Sequence, residues 1–276
     1  MNSFTGKNTL LIRIARLWMI LMLIAGIIQG CQNRPAEITE VQSVGLAGQT
    51  DVGFDRVTAP LEFSFPKDHG PHLGYQTEWW YYTGNLQTAE GQRFGYQLTF
   101  FRRALVPPTK VIDTESAWRT SQVYFAHFAI SDIAGKNYQY AERFSRGAAG
   151  LAGAEGEPVY SVWLEDWSVQ QLEDGAYQLQ AATDEFGLNL RLVDQKGPIL
   201  QGDRGYSPKG SEPGNASAYV SQTRLKAAGE VTLAGAQIPV NGWSWMDHEF
   251  STSALAEGQV GWDWFSIQLD DGSELM

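Results

Sequence analysis

The chain has 276 residues, 43% of them apolar and 12% aromatic, and carries a net charge of −11. That length holds one large or two modest domains with a real core, and so acidic a chain repels phosphate, which sets nucleic acid aside as a partner. A single Cys removes any disulfide framework, and the absence of a Gly-x-Ser-x-Gly elbow, a Walker loop and a dinucleotide fingerprint disfavours the hydrolases and nucleotide enzymes built on them.

Lys7, Arg13 and Arg16 precede an apolar run of twelve residues, Leu17 to Ile28. The run is short for a bilayer span and reads as the core of a signal peptide. It ends in Ile28-Gln29-Gly30-Cys31, which resembles a bacterial lipoprotein cleavage site, with Gln29 an unusual occupant. Residues 1–30 are therefore expected to be a lipoprotein signal peptide and Cys31 the lipidated residue; cleavage as an ordinary secretory signal is the alternative. The expected location is the bacterial cell envelope, anchored in the outer membrane and facing the periplasm. Residues 31–56 are polar and without period, and read as a tether.

Phe63 to His72 carries two Pro and one Gly, which makes it a fixed irregular loop. Tyr75 to Gly84 reads as a strand, with Gln76, Glu78, Trp80 and Tyr82 on one face and Thr77, Trp79, Tyr81 and Thr83 on the other. Both faces are aromatic, so neither is an ordinary solvated face. Arg93 to Arg103 and Ser121 to Asp132 continue the strand pattern, and Phe144 to Glu157 reads as a Gly/Ala-rich loop. Tyr160 to Gln170, Ala176 to Thr183 and Phe186 to Val193 follow as strands, then a loop over Gln201 to Ala216. Tyr219 to Leu225, Gly229 to Leu233, Gln237 to Asp247 and Val260 to Leu269 complete the series, with Asp270-Asp271-Gly272 as a hairpin turn. About ten strands at regular spacing with few helical patterns indicate an all-β antiparallel barrel or sandwich. The count fills one barrel and starts another, unless the last strands complete the first.

His69, His72 and His248 with Asp68 or Asp247 are of the residue types that ligate a metal. No helix holds the His-x-x-His pair and no third ligand is fixed by spacing, so no metal and no cofactor is assigned. His127 lies on an apolar strand face, where a lone His is more often a satisfied core residue.

Four motifs occur in order: Phe65-Pro66-Lys67-Asp68-His69-Gly70, Thr77-Glu78-Trp79-Trp80-Tyr81-Tyr82-Thr83-Gly84, Trp243-Ser244-Trp245-Met246-Asp247-His248-Glu249, and Gly261-Trp262-Asp263-Trp264-Phe265. Together they resemble the AttH-like, lipocalin-like family of secreted proteins, related to bacterial carotenoid 1,2-hydratases and fungal kievitone hydratase-type proteins. The resemblance covers Phe63 to Met276 and implies lipocalin-like barrels in tandem. On it, residues 57–242 are expected to form the first barrel, and 243–276 the start of a second that is truncated at the C-terminus. It also implies an apolar, elongated ligand, an isoprenoid or other lipid, and for some members addition of water to an isolated C=C bond.

Alkene hydration needs an acid that keeps its proton near neutral pH, a stabilised carbocation and a positioned water. Asp263 is the first candidate for the acid, on a strand face with Phe265, Ile267 and Leu269 and flanked by Trp262 and Trp264, whose ring faces stabilise a cation. Its structural alternative is an Asp satisfied by backbone N–H groups. Asp247 or His248 would position water, although that triplet also reads as a solvated turn. Glu78 is read first as a buried, hydrogen-bonded carboxylate and second as a catalytic acid. Trp79, Trp80, Trp245, Trp262, Trp264 and His127 are the candidate ligand-binding residues. The competing reading is a non-catalytic lipid carrier, or an accessory factor of an envelope export system of the ABC type.

Overall fold

A computed structural model describes residues 52–112, 115–252, 259, 261 and 263–276, all within the compact unit Leu46–Met276. Cys31, the signal region and Trp262 lie outside the described residues. Among the described residues no helix is long and apolar enough to cross a membrane.

The elements are almost all strands: β1 (Thr77–Gln87), β2 (Arg93–Ala104), β3 (Gln122–Asp132), β4 (Asn137–Arg146), β5 (Ala152–Glu155), β6 (Ser161–Leu164), β7 (Trp167–Gln171), β8 (Tyr177–Ala182), β9 (Phe186–Asp194), β10 (Ile199–Leu200), β11 (Tyr206–Pro208), β12 (Ala216–Leu233), β13 (Ala236–Ser251), β14 (Ile267–Gln268) and β15 (Glu274–Leu275). The first thirteen form one antiparallel sheet in the order β4-β3-β2-β1-β13-β12-β9-β8-β7-β6-β5, with the short β10 and β11 both pairing with β12. Most neighbours in sequence form hairpins, β9 pairs with β12, and the pairing of longest sequence separation joins β1 to β13 along eleven residues, Thr77↔Ser251 to Gln87↔Asn241.

The sheet curls until its two edge strands approach, giving a nearly closed barrel. Arg143 of β4 bridges the seam: its guanidinium lies 4.3 Å from the Trp167 ring centroid and pairs with Glu165 and Asp166 in the β6–β7 turn. The interior is taken up by packed side chains, among them Trp80, Tyr82, Leu98, Phe100, Phe128 and Trp167, all essentially inaccessible. Alternation along each strand puts these on one face and a second, partly aromatic set on the outer wall.

One end of the barrel is plugged by the loop ahead of β1. A 3₁₀ turn over Lys67–His69 drives His69 inward, and the Trp80 indole N–H donates to its carbonyl at 2.8 Å. Gly70 is required there, because a Cβ would lie 2.4 Å from the Gly156 Cα.

Several expected elements change in extent. Tyr160 to Gln170 is two strands, since Glu165 turns the chain with φ of 57° and lets Trp167 fold back into the core. Asn137 to Glu155 holds two strands, β4 and β5, where a loop was expected from Phe144; β4 exposes every second residue and packs only one face, which blurs its pattern. Tyr219 to Leu233 is one continuous strand carrying a bulge between Gln222 and Leu225. The boundary expected at residue 243 falls inside β13, whose whole length pairs in the barrel sheet. Among the described residues of 260–269 only Ile267–Gln268 is strand, paired with β15 across the Asp270-Asp271-Gly272 turn.

Candidate active site

Strand alternation on β13 separates the three acidic and imidazole groups of Asp247-His248-Glu249. His248 points into the barrel, while Asp247 and Glu249 line a cavity on the outer wall. β1 does the same: Glu78 and Trp80 are interior, and Trp79 and Tyr81 face the cavity.

The interior cluster is a buried ionic network centred on Glu78. Glu78 Oε2 accepts from Arg102 Nε at 2.8 Å and from the His72 backbone N–H at 2.9 Å. Its Oε1 is 2.8 Å from His248 Nε2 and 2.9 Å from His72 Nδ1. Arg102 spends its remaining donors on Gln122 Oε1 and the carbonyls of His72 and Tyr75. Trp80 stacks on His248 at 5.1 Å and Phe250 on His72 at 3.6 Å. Burial alone would push the Glu78 carboxyl up. The Arg102 charge and the two imidazoles outweigh it and hold the carboxyl well below the ordinary carboxylate range. Burial also lowers His248, and takes His69 down to about 3.

His72, Glu78 and His248 are close enough together to hold a metal ion. Their chemistry does not fit one. Both imidazole nitrogens that would be ligands point at the same carboxylate oxygen, and the guanidinium of Arg102 already neutralises that carboxylate. A dication placed there would sit beside a fixed positive charge.

The outer site is different in character. A cavity of about 570 Å³ is lined by Trp79, Tyr81, Phe101, Tyr219, Trp264 and Phe265, with Lys209, Asp247, Glu249 and Asp263 as its charged groups and Met276 at one side. Trp264 stands edge-on to Tyr81 at 5.2 Å and to Trp245 at 6.3 Å, and its indole N–H donates to the Tyr219 hydroxyl at 3.2 Å. Asp247 is 3% exposed. Its Oδ1 accepts from Ser221 Oγ at 2.5 Å and from Trp245 Nε1 at 2.8 Å, and among the described residues Oδ2 has no hydrogen-bond partner. Burial raises its carboxyl to about 7. Glu249, equally buried, is also raised by burial, although Lys209 Nζ pairs with it at 3.0 Å.

The residues singled out from the sequence thus fall into three places. Glu78, His248 and Trp80 share the interior cluster. Asp247, Asp263, Trp79, Trp245 and Trp264 belong to the outer cavity or its wall. His127 lies on the outer face of β3, beside Phe101 at 5.1 Å and Glu142 at 3.8 Å. Asp263 is exposed and stands outside any strand, so it does not share a pleated face with Phe265, Ile267 and Leu269; only two residues of that segment find a pairing partner. Ser221, Tyr219 and Lys209 were not anticipated. Ser221 is the direct cross-strand partner of Asp247, a relation visible only once the β12–β13 register is known.

The AttH-like family model matches residues 56–276. This chain belongs to the AttH-like family. It is similar over 78% of its length to a crystal structure of a Nitrosomonas europaea protein assigned to AttH, with 35% identity and a TM-score of 0.69. The match spans 65% of that chain, just under two thirds of its length. It is also similar over 74% of its length, and 58% of the other chain, to kievitone hydratase from Nectria haematococca, with a TM-score of 0.51. At 10% identity that second likeness concerns the fold, an all-β, lipocalin-like antiparallel barrel. No curated protein is similar enough in sequence to match. Glu78 and Asp247 lie on paired strands of this sheet, β1 and β13.

Proposed function

We propose that this AttH-like protein binds an elongated, apolar, unsaturated molecule of isoprenoid or lipid type in its outer-wall cavity and adds water across an isolated C=C bond. One observation carries the reading. Asp247 is a buried acid that keeps its proton up to about pH 7, and one of its oxygens is unsatisfied among the described residues, in the wall of an aromatic cavity. A general acid works best when its pKa lies near the working pH.

In the proposed reaction the Asp247 carboxyl gives its proton to one alkene carbon, and the π electron pair forms the new C–H bond. The cation left on the other carbon is stabilised by the ring faces of Trp79, Phe101 and Trp264. Water attacks that carbon and loses a proton, which returns to the Asp247 carboxylate. The sum is alkene plus water giving alcohol. Asp263, at the exposed rim of the same cavity, is placed to orient the water; His248 and Glu78 act behind the strand as its support. Asp247 takes the donor role ahead of Asp263 because it has the dry setting the chemistry needs.

The test is incubation with lycopene-type and unsaturated fatty acyl compounds, followed by mass analysis. A product heavier by one water, absent with Asp247→Asn, is the expected result. Tight binding without product supports the carrier reading, and full turnover by Asp247→Asn removes Asp247 from the mechanism. Lipidation at Cys31 and a periplasm-facing position in the outer membrane are part of the same proposal, supported by the apolar run and the Gly30-Cys31 pair. Incorporation of labelled palmitate that persists in Cys31→Ser would refute the anchor.

A further inference from the structure

We propose that Ser221 and Trp245 are positioning residues that occupy Oδ1 of Asp247 and so place the carboxyl proton on Oδ2, the oxygen that delivers it to the ligand. This rests on the hydratase reading for the delivery step, while the placement of the proton stands on geometry alone.

The donors explain the placement. An indole N–H can only donate, so Trp245 Nε1, 2.8 Å from Oδ1, requires a lone pair there. The Ser221 hydroxyl could in principle either donate or accept. Gln201 Nε2 donates to its Oγ at 3.0 Å, which directs the hydroxyl's own proton towards Asp247 Oδ1, 2.5 Å away. Two donors therefore converge on Oδ1, and a proton on that oxygen would face an N–H it cannot satisfy. Oδ2 is buried and has no hydrogen-bond partner among the described residues.

The fold builds this arrangement from several elements. Ser221 is opposite Asp247 in the β12–β13 ladder and opposite Ile199 in the β10–β12 ladder, which brings Gln201 within reach. The β12 bulge follows Gln222, which pairs with Met246, so Ser221 is one regular pair away from the point where the ladder shifts. Trp245 lies two residues before Asp247 on the same strand face.

A carboxylate placed only for structure has both oxygens satisfied, as the Glu78 network shows a few residues away. Asp247 has its two close donors, Ser221 and Trp245, on one oxygen, and the Tyr219 hydroxyl is a further hydrogen-bonding neighbour of the carboxyl. The charged and titratable groups facing it are Tyr81 from β1, Tyr219 from β12, Glu249 on its own strand, Lys209 after β11 and Asp263 from the C-terminal segment.

The experiment is a ¹³C-carboxyl NMR titration of the full chain, with the Asp247 resonance identified by its loss in Asp247→Asn. Each donor to Oδ1 favours the ionised form, so Ser221→Ala and Trp245→Phe should each raise the midpoint by about one pH unit. Ser221→Thr keeps a hydroxyl and should titrate like the parent. Gln201→Leu, which frees the Ser221 rotor, should give a smaller rise. If Ser221→Ala does not fold by near-UV circular dichroism, Trp245→Phe decides. A midpoint that stays put or falls in the folded variants overturns the proposal. With substrate, Ser221→Ala should lower kcat about tenfold and leave KM within about twofold, since the proton is then shared between two oxygens. A parent protein that shows the titration pattern but yields no hydrated product overturns the hydratase reading and the delivery step, leaving only the placement of the proton.

Discussion

Glu78 and Asp247 sit on adjacent strands of one sheet, both almost inaccessible to water, and their carboxyls are shifted in opposite directions. Glu78 is below the ordinary carboxylate range and Asp247 is raised to about 7. Burial pushes both upward. The difference is the company on each face: Arg102 and two imidazoles inside the barrel, and hydroxyl, indole and aromatic groups outside it. Depth of burial therefore does not assign a charge; the guanidinium and imidazoles around Glu78 outweigh it, whereas Lys209 beside Glu249 does not. The interior acid stabilises the fold in its ionised form, and the outer acid is held at a cost that a site can use.

Removing the cation breaks the comparison at its stronger end. Arg102→Met leaves Glu78 buried without its permanent positive partner, and should cost about 3–5 kcal/mol in chemical denaturation. A second substitution, Glu78→Gln in the Arg102→Met background, removes the stranded charge and should recover most of that loss. Equal stability of the single and double variants would show that the pair is not coupled as drawn.

The outer acid should respond in the other direction. Its folded-state value is raised from 3.8 to about 7, so the folded protein keeps a proton that the unfolded chain has lost across that window. Its stabilising contribution is complete below about pH 4 and is lost as pH rises through about 7. Asp247→Asn should then be more stable than the parent by about 2–4 kcal/mol at pH 8, with the gain nearly absent at pH 4. Denaturation at the two pH values checks this. The interior groups bend the profile the opposite way: neutral His69, lowered from 6.5 to about 3, costs stability as pH falls below 6.5. Asp247→Asn should therefore shrink the alkaline limb of the stability profile, with Glu249, also raised by burial, supplying what remains, and keep the acid limb.

The same two faces show how much could be read beforehand. The all-β barrel was legible in the period-two runs of Phe94 to Phe100 and Phe186 to Leu192, which stayed strands with the expected core faces. The motif residues of β1 and β13 were also visible, together with their alternation. Which face looked inward was not, because both faces of Tyr75 to Gly84 are aromatic and alternation alone carries no sign. The site partners were hidden for a related reason. Ser221 meets Asp247 through a ladder register, and Arg102 meets Glu78 across β1 and β2; register between strands is set by the whole sheet. Asp263 looked like a strand acid because Phe265, Ile267 and Leu269 alternate, yet most of that segment finds no partner strand among the described residues.

A milder probe asks whether the aromatic wall binds the ligand at all. Trp264 contacts Tyr81, Trp245 and Tyr219, and forms part of the cavity lining without touching the interior cluster. Trp264→Ala should weaken binding of an apolar ligand about three- to tenfold, corresponding to about 0.5–1.5 kcal/mol for a lost aromatic contact. Global stability should change less than for Arg102→Met, since Trp264 is only partly buried. Unchanged affinity measured by Trp fluorescence quenching or calorimetry would take the ligand out of this cavity.

The smallest effect belongs to His127, which tests how far the cavity extends along the outer wall. Its ring is 5.1 Å from Phe101, a cavity residue, and Phe101 in turn stacks on Phe125 at 4.5 Å. The imidazole itself is 41% exposed, and its partner Glu142 is more exposed still at 3.8 Å. An exposed pair of that length contributes little, so His127→Ala should change stability by no more than about 0.5 kcal/mol. Any change in ligand affinity would have to pass through Phe101, which the Phe125 stack already holds. Affinity should therefore stay within about twofold of the parent by calorimetry. A larger loss would mean that bound ligand runs past Phe101 onto β3, and that the site is a long groove reaching beyond the cavity beside Asp247.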